Sequence, residues 1–269
     1  MLRKIIYILI FSLFTQIGTA NAGSTGNEQL SGSGSTAGAE ECIEGLSRAM
    51  YKLNHGLDKV IFEPVAKGYR ALPAPIRKGT GNATDNLRSL LTFSNNILQG
   101  EFGRAGNNAA RFAINSTVGI LGFFDPATKL GFEDQGKEDF GQTLGKWGAD
   151  SGCYFVLPVL GPTTTRDVIG LVGNTFLDPV YHITHNSEVN AGIGNSNYSE
   201  HNYYYYRGTG AVDFRAKNIE SFDSLEENSI DLYASLKSLY LQNREKKIAN
   251  STSAVETQDD SDWEEIDTN

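Results

Sequence analysis

The stretch from Asn86 to Asp178 constrains the fold more than any other part of this sequence, because it consists of short, mostly uncharged motifs separated by glycines and prolines. The motifs are NL at 86–87, LQG at 98–100, RFAINST at 111–117, EDFGQT at 138–143, LPVLGP at 157–162 and RD at 166–167. Each motif alone is weak evidence. Their order and spacing within one segment make the combination specific.

Apolar residues recur near a 3.6-residue period in much of the chain, which predicts a mainly α-helical body. The predicted helices cover 42–51, 57–72, 84–102, 103–120, 166–177 and 214–248. Pro73 and Pro75 should break the chain between the second and third of these helices, because proline lacks an amide donor and restricts the preceding residue. Threonines at 163–165 offer N-cap oxygens for the helix that follows.

Taken together, the motifs resemble those of the MlaA/VacJ family, outer-membrane-associated proteins that remove misplaced phospholipid from the outer leaflet of the Gram-negative outer membrane. The resemblance is strong over 50–182 and weaker over 215–245. It implies a ring-like bundle of amphipathic helices with a short apolar hairpin or loop, embedded in the membrane. It also implies an amphipathic channel that passes phospholipid to a periplasmic carrier protein, with a trimeric outer-membrane porin as a second partner.

The N-terminal residues predict export. Arg3 and Lys4 precede an apolar run at 5–14, and small residues at 20–22 suit a signal peptidase, so residues 1–22 are expected to be a removable signal peptide. The apolar run is too short for a membrane-spanning helix, which needs about twenty residues. Many family members carry a lipid-modified cysteine directly after the signal. The first cysteine here, Cys42, lies well beyond that point, which makes a lipid anchor doubtful. We expect the protein to lie at the periplasmic face of the outer membrane and to attach there through its folded body.

Composition divides the remaining chain into three parts. Residues 23–39 are rich in Gly, Ser and Thr and predict a flexible leader. Residues 40–248 form the family-like helical domain, within which 184–212 is predicted to be a polar loop. Residues 249–269 predict an acidic, disordered tail. The formal net charge of −9 argues against a nucleic-acid partner, since phosphate binding requires a basic surface.

The apolar segment at 118–132 has two interpretations. It can be a buried loop beneath the core, or it can place Phe123 and Phe124 at a bilayer or beside a slot for acyl chains. The family resemblance favours the second interpretation and makes these two phenylalanines candidates for a gate.

Polar residues near the implied channel are candidates for contact with the lipid headgroup, although each could equally be a helix cap or a buried hydrogen-bond partner. They are Asn54, Asn86, Asn95, Asn115 and Asp125. Glu138 and Asp139 are adjacent and diverge on a helix or strand, which argues against an acid/base pair. We expect them to pair with Arg111 or Arg166 and hold helices in register, with Asp167 in the same structural class.

No catalytic constellation is recognisable, and we expect neither an enzyme nor a bound metal or cofactor. The sequence contains no nucleophile elbow and no phosphate-binding glycine loop after a strand. His182, His185 and His201 could form a metal cluster with Glu188, but histidines in so polar a segment more often face solvent. Two alternatives remain: a structural or virulence-related surface protein that uses the polar loop, and a secreted lipid hydrolase.

Cys42 and Cys153 would meet an oxidising periplasm after export, where they could pair. The alternative is that both are small buried apolar residues.

Overall fold

The computed structural model describes residues 39–185 and 200–250. The predicted signal peptide, nearly all of the predicted leader and nearly all of the acidic tail lie outside these residues. Ala39, the last leader residue, is buried in a small apolar cluster with Tyr154, Val156 and Tyr233.

The described residues are mainly helical, as predicted, with one small β-hairpin. The elements are α1 (Glu44–Leu57), α2 (Glu63–Arg70), α3 (Ala74–Leu98), α4 (Phe102–Thr117), α5 (Pro126–Lys129), α6 (Phe140–Lys146), β1 (Tyr154–Leu157), β2 (Gly161–Thr164), α7 (Thr165–Leu177), α8 (Pro179–His185), α9 (Glu200–Lys217), α10 (Ile219–Asn228) and α11 (Leu232–Ile248). A π-helical stretch, Asp58–Phe62, joins α1 to α2. The strands pair antiparallel, with Tyr154 opposite Thr164 and Leu157 opposite Gly161. Within 39–185 and 200–250, no helix is both long and apolar enough to cross a membrane.

Helix α7 begins and ends where the sequence predicts. The Thr164 side chain accepts a hydrogen bond from the Asp167 amide at 3.3 Å, which satisfies one of the free donors in the first turn. The helix ends at Leu177, and Pro179 begins α8 after a single extended residue, Asp178.

Helix α3 begins at Ala74, so the predicted break holds at Pro73 but not at Pro75, which lies in the first turn, and the helix starts well before the predicted Thr84. Gly79 and Gly81 lower the helix propensity of this stretch. Both lie where another part of the chain comes close: a Cβ at Gly79 would be 2.2 Å from the Phe123 ring, and one at Gly81 would be 3.0 Å from the Asp213 carboxylate. Tertiary packing therefore overrides the local preference.

The predicted polar loop at 184–212 is wrong where the structure describes it. Thr184 and His185 end α8, and residues 200–212 lie within α9. The Tyr203 hydroxyl donates a hydrogen bond to Asp178, and its ring contacts the Tyr181 ring at a centroid distance of 5.4 Å. These contacts stabilise a helix that the polar composition did not predict.

The predicted continuous helix over 214–248 is also wrong, because the chain breaks it twice. Helix α9 ends at Lys217, and α10 ends at Asn228. The Asp231 side chain then accepts a hydrogen bond from the Ala234 amide at 3.2 Å and caps a new helix, α11.

Polar and apolar side chains are distributed unusually in the described part of the chain. Buried polar residues outnumber buried apolar ones, and the fully buried side chains include Asn95, Asn96 and Gln142. Many large apolar side chains are exposed instead, among them Phe102 (71%) and Phe176 (68%). This is the reverse of the usual preference of a water-soluble protein.

The segment at 118–132 belongs to this exposed apolar surface, so its interpretation as a buried loop is wrong. Val118, Ile120, Leu121 and Phe124 are all exposed. Ile120 and Leu121 adopt positive φ values of 54° and 56° in a turn closed by the Gly122 amide, which donates to the Asn115 carbonyl at 2.8 Å.

A disulfide joins Cys42 to Cys153, which decides between the two interpretations of these residues. Their Cα atoms lie 5.5 Å apart across a sequence separation of 111 residues. Beside the disulfide, Glu41 forms a parallel bridge with Tyr154 of β1, and its carboxylate accepts a hydrogen bond from Lys237 of α11 at 2.7 Å. The start of the described chain is thus fixed to both the hairpin and the last helix.

Candidate functional site

A polar cavity lies between α3, α4 and the segment at 125–137. Its volume is about 100 Å³. The lining residues are polar or charged apart from one glycine: Asn82, Asp85, Asn86, Ser89, Thr92, Asn108, Arg111, Asn115, Asp125, Asp134, Gly136 and Lys137. The cavity can therefore accept a small polar group but not an acyl chain.

One wall is an ion pair supported by an amide. Arg111 Nη2 donates to Asp125 Oδ2 at 2.9 Å, and Asn115 Nδ2 donates to Asp125 Oδ1 at 2.9 Å. Asn115 Oδ1 accepts the Ala127 amide at 3.1 Å. Asp125 also caps α5 by accepting the Thr128 amide. These residues connect α4 to α5 and fix the edge of the cavity.

The electrostatics of this wall favour a charged Asp125. Burial alone would raise the pKa of its carboxyl. Hydrogen bonds from Thr128, Asn115 and Arg111 outweigh burial and hold the pKa below its ordinary value. Asp125 therefore remains an anion paired with Arg111 at neutral pH.

The opposite wall connects α3 to the approach to α6. Lys137 Nζ donates to Asp85, and Thr92 Oγ1 accepts the Glu138 amide at 3.3 Å. Both cations that line the cavity, Arg111 and Lys137, are thus already paired with a carboxylate.

Asn86 has an unfilled acceptor. Its Nδ2 donates to Ser116 Oγ at 2.9 Å, and its side chain packs against Gly122, where an added Cβ would lie 2.5 Å away. Its Oδ1 is buried and has no hydrogen-bond partner among the described residues. The residue as a whole is only 6% exposed.

The predicted headgroup residues divide into two groups. Asn86, Asn115 and Asp125 come together at the cavity. Asn54 instead holds the hairpin turn: its Nδ2 donates to the Leu157 carbonyl at 2.7 Å and its Oδ1 accepts the Val159 amide at 2.7 Å. Asn95 is fully buried and accepts a hydrogen bond from Thr143 at 2.8 Å. Asn54 and Asn95 thus act as a turn cap and a buried hydrogen-bond partner, and at the cavity Asp125 also caps α5 while Asn115 is also a buried partner.

The predicted gate residues occupy different surroundings. Phe123 packs over Gly79 of α3, and the Asn82 side chain donates to its carbonyl at 3.3 Å. Phe124 is 54% exposed and contacts Phe123 edge to face at a centroid distance of 5.1 Å. Of the two, only Phe124 presents most of its ring to the surroundings.

The ion-pair candidates all form pairs, but the expected partners of Glu138 and Asp139 are wrong. Glu138 lies 3.6 Å from Arg104, and Asp139 accepts two hydrogen bonds from Arg244 at 2.6 and 3.0 Å. Arg244 also contacts Asp167 at 2.6 Å, while Arg166 lies 3.4 Å from Asp167. The pair of Arg111 is Asp125. Arg244 and Asp139 are 105 residues apart along the chain, so a local sequence pattern could not identify Arg244 as the partner.

The histidines in the described part of the chain are not arranged as metal ligands. His182 Nε2 lies 2.8 Å from the Phe176 carbonyl, and the His185 ring stacks on Tyr181 at 4.0 Å. Glu188 lies outside the described residues. Residues 39–185 and 200–250 contain no group of three His, Cys, Asp or Glu side chains that could hold a metal ion.

The sequence carried a signal for the cavity residues that were not predicted. Asn82, Asp85 and Ser89 recur at helical spacing with the predicted Asn86 along α3, and Asn108 does so with the predicted Arg111 and Asn115 along α4. Two polar stripes on neighbouring helices indicate a polar surface between them. Asp134 and Lys137 come from the irregular segment and offer no such pattern.

Comparison with known proteins gives a consistent match. A family model described as MlaA lipoprotein matches residues 39–247. The chain is 32% identical over 213 residues to the intermembrane phospholipid transport system lipoprotein MlaA of Haemophilus influenzae. The aligned residues cover 77% of this chain and 79% of that protein. It is 36% identical over 143 residues to the protein of the same name in Escherichia coli, covering 52% of this chain and 57% of that protein.

A solved structure gives the same result at the level of the fold. It comes from work on the structural basis for maintenance of bacterial outer membrane lipid asymmetry. The similarity has a TM-score of 0.64 at 28% sequence identity, and it covers 78% of this chain and 99% of that chain.

Proposed function

Because this chain belongs to the MlaA lipoprotein family, we propose that it takes mislocalised phospholipid from the outer leaflet of the outer membrane and passes it through its own body toward the periplasm. The family resemblance seen in the sequence is confirmed. The chain is a component of intermembrane phospholipid transport, which maintains outer-membrane lipid asymmetry, and it is not an enzyme. The lipid-hydrolase and surface-protein alternatives therefore lose their support.

The observation that supports the conduit is the reversed distribution of polar and apolar side chains. Exposed residues such as Phe102, Val172 and Phe176 are suited to acyl chains, whereas Asn95, Asn96 and Thr92 are buried. A large exposed apolar surface marks a membrane or partner contact. An apolar exterior around a polar interior suits a helical ring embedded in lipid, with the route for the headgroup inside.

The route needs different surroundings for the two ends of a phospholipid. The polar cavity between α3 and α4 suits the headgroup, and the exposed turn at 118–124 suits the acyl chains. Phe124 is exposed at the end of this turn and is followed in the chain by Asp125 of the cavity, which supports it as the gate residue. Phe123 then acts as its support on α3.

Attachment follows from the same arrangement, and the partners are those that the family resemblance implies. Burial of the exposed apolar residues in the inner leaflet would hold the protein at the periplasmic face of the outer membrane. A soluble periplasmic lipid carrier is the proposed acceptor, and a trimeric porin is the proposed support within the membrane.

The test is the level of phospholipid in the outer leaflet of a strain that lacks its own family member. Outer-leaflet-specific acylation reports this level with and without the expressed chain. We expect the wild-type chain to lower surface phospholipid, and Phe124→Asp to lose this effect because a charge at the gate opposes passage of acyl chains.

Phe93→Asp is unsuitable as a control, because a charge at this partly buried position opposes folding. Glu227→Gln, at an exposed site on α10, serves instead and should retain full activity. Surface phospholipid that stays high with the wild-type chain in the outer-membrane fraction of its native host would contradict the proposal.

A further inference from the structure

We propose that the cavity between α3 and α4 is a headgroup subsite that receives the primary ammonium group of an ethanolamine phospholipid. The inference rests on the proposed function and adds a preference among headgroups. It follows from three properties of the cavity: an unfilled acceptor, the charges of its walls, and its size.

The acceptor is Asn86 Oδ1. A buried polar atom without a hydrogen bond is destabilising, so native proteins rarely leave one without a partner. The Asn86 amide nitrogen is fixed on Ser116 of α4, which leaves Oδ1 as the free polar atom of a residue that lines the cavity. A ligand that fills this position must donate a hydrogen bond.

The charges of the walls favour a cationic donor over an anion. Arg111 is engaged by Asp125, and Lys137 is engaged by Asp85. The third lining carboxylate, Asp134, accepts the Gly136 amide at 2.9 Å but forms no ion pair with a described residue. The cavity therefore carries three carboxylates against two cations. A phosphate would compete with Asp125 and Asp85 for their partners, whereas an ammonium group adds the missing charge.

The size suits a small group. A volume of about 100 Å³ has room for an aminoethyl group. A primary ammonium has three donors, and Asn86 and Asp134 offer acceptors for them. A quaternary ammonium has the same charge but no donor, so a choline headgroup should bind less well.

The experiment measures which phospholipid the full chain binds. The purified protein is exposed in detergent to equal amounts of ethanolamine, choline and glycerol phospholipids with the same acyl chains, and the bound lipid is quantified by mass spectrometry. We expect about tenfold enrichment of the ethanolamine lipid over the choline lipid, the size expected for one charge-assisted hydrogen bond.

Two substitutions locate the preference. Asp134→Asn removes the charge of an exposed residue and keeps an acceptor for Gly136, and Asn86→Leu removes the acceptor. Each should reduce the enrichment to less than about threefold. Glu133→Gln makes the same charge change on the adjacent exposed residue, which does not line the cavity, and should leave the enrichment unchanged. Thermal unfolding identifies any variant that fails to fold, and Asp134→Asn remains informative if Asn86→Leu does.

Free ethanolamine and free choline distinguish a lipid headgroup from a soluble amine. Enrichment of the lipid, with stabilisation by free ethanolamine but not by choline, supports the subsite. Stabilisation by free ethanolamine without lipid enrichment overturns the lipid as its source. Equal binding of all three lipids overturns the subsite and leaves the conduit intact, whereas binding of none overturns the conduit as well.

Discussion

At the scale of single residues, the pKa values of the neighbouring carboxyl groups of Glu138 and Asp139 are shifted in opposite directions. Burial raises the pKa of Glu138, because its hydrogen bond from Gln99 and the charge of Arg104 do not offset the loss of water. Burial would also raise the pKa of Asp139, but two hydrogen bonds from Arg244 and its charge hold that pKa well below its usual range. One carboxylate is therefore costly to bury, and its neighbour is strongly stabilised.

Because the two pKa shifts have opposite signs, the two carboxyl groups make the stability of the fold depend on pH in opposite ways. The pKa of Asp139 is lower in the folded than in the unfolded chain, so its contribution is present above the unfolded value of about 3.9 and is lost as the pH falls through the folded value. The pKa of Glu138 is higher in the folded chain. Its contribution is present below the unfolded value of about 4.3 and is lost as the pH rises through the folded value.

Isosteric amides at the two positions should therefore differ at pH 7. Asp139→Asn retains the cap oxygen for the Gln142 amide but leaves Arg244 underpaired, and it should lower the free energy of unfolding by about 3 kcal/mol. Glu138→Gln removes a buried charge and should leave the free energy of unfolding unchanged or raise it. Denaturant unfolding of both variants in detergent measures the difference, and equal losses at pH 7 would refute this account.

At the scale of elements, α6 and α7 approach each other through glycine. A Cβ at Gly170 would lie 2.4 Å from the Gly141 amide nitrogen and 2.5 Å from its Cα, and a Cβ at Gly173 would lie 2.2 Å from the Phe140 ring. The Gly170 contact is with backbone, which cannot rotate away as a side chain can. Small residues at a helix interface permit this close packing.

Alanine at Gly170 should thus be destabilising, although alanine is the better helix former. We expect Gly170→Ala to lower the free energy of unfolding by about 1–3 kcal/mol, the usual cost of overpacking. Gly106→Ala is the matched control, because this helical glycine has no atom within 4 Å of an added Cβ. It should raise the free energy by up to about 1 kcal/mol. Stabilisation by both substitutions would show that α6 and α7 can separate without cost.

The same contrast explains which elements were predictable from sequence. Threonines before a helix and prolines after it act through adjacent backbone atoms, so both ends of α7 and the break at Pro73 were correct. The extension of α3 through Gly79 and the helical state of Tyr203 depend on Phe123 and Tyr181, which are distant in sequence. In the cavity, Asn86 and Asn115 lie in recognisable motifs, whereas Asp134 comes from an irregular segment whose position only the fold determines.

At the scale of the whole molecule, the exposed apolar side chains should govern partition into membranes. Val172 (56% exposed) and Phe176 (68%) lie one turn apart on α7. The double substitution Val172→Asp and Phe176→Asp should reduce binding to phospholipid vesicles by a factor of about ten or more. The reason is that burial of each apolar side chain contributes about 1.5–3 kcal/mol to the free energy of binding. Flotation of the vesicles measures the bound fraction.

Ser238→Asp with Gln242→Glu is the control, since it adds the same two charges one turn apart on an exposed polar part of α11. This variant should float like the wild-type chain. An equal loss of binding in both variants would assign the effect to net charge and remove α7 from the membrane contact.

The disulfide also sets an order of events during biogenesis. On an export route that delivers the N-terminal end first, Cys42 reaches the oxidising compartment and remains a free thiol until the next 111 residues bring Cys153 through. The sequence contains two cysteines, so incorrect pairing within one chain is impossible, and every incorrect bond joins two polypeptides. Errors in maturation would therefore appear as covalent dimers, and the supply of correctly matured protein would depend on the oxidative folding capacity of the cell envelope.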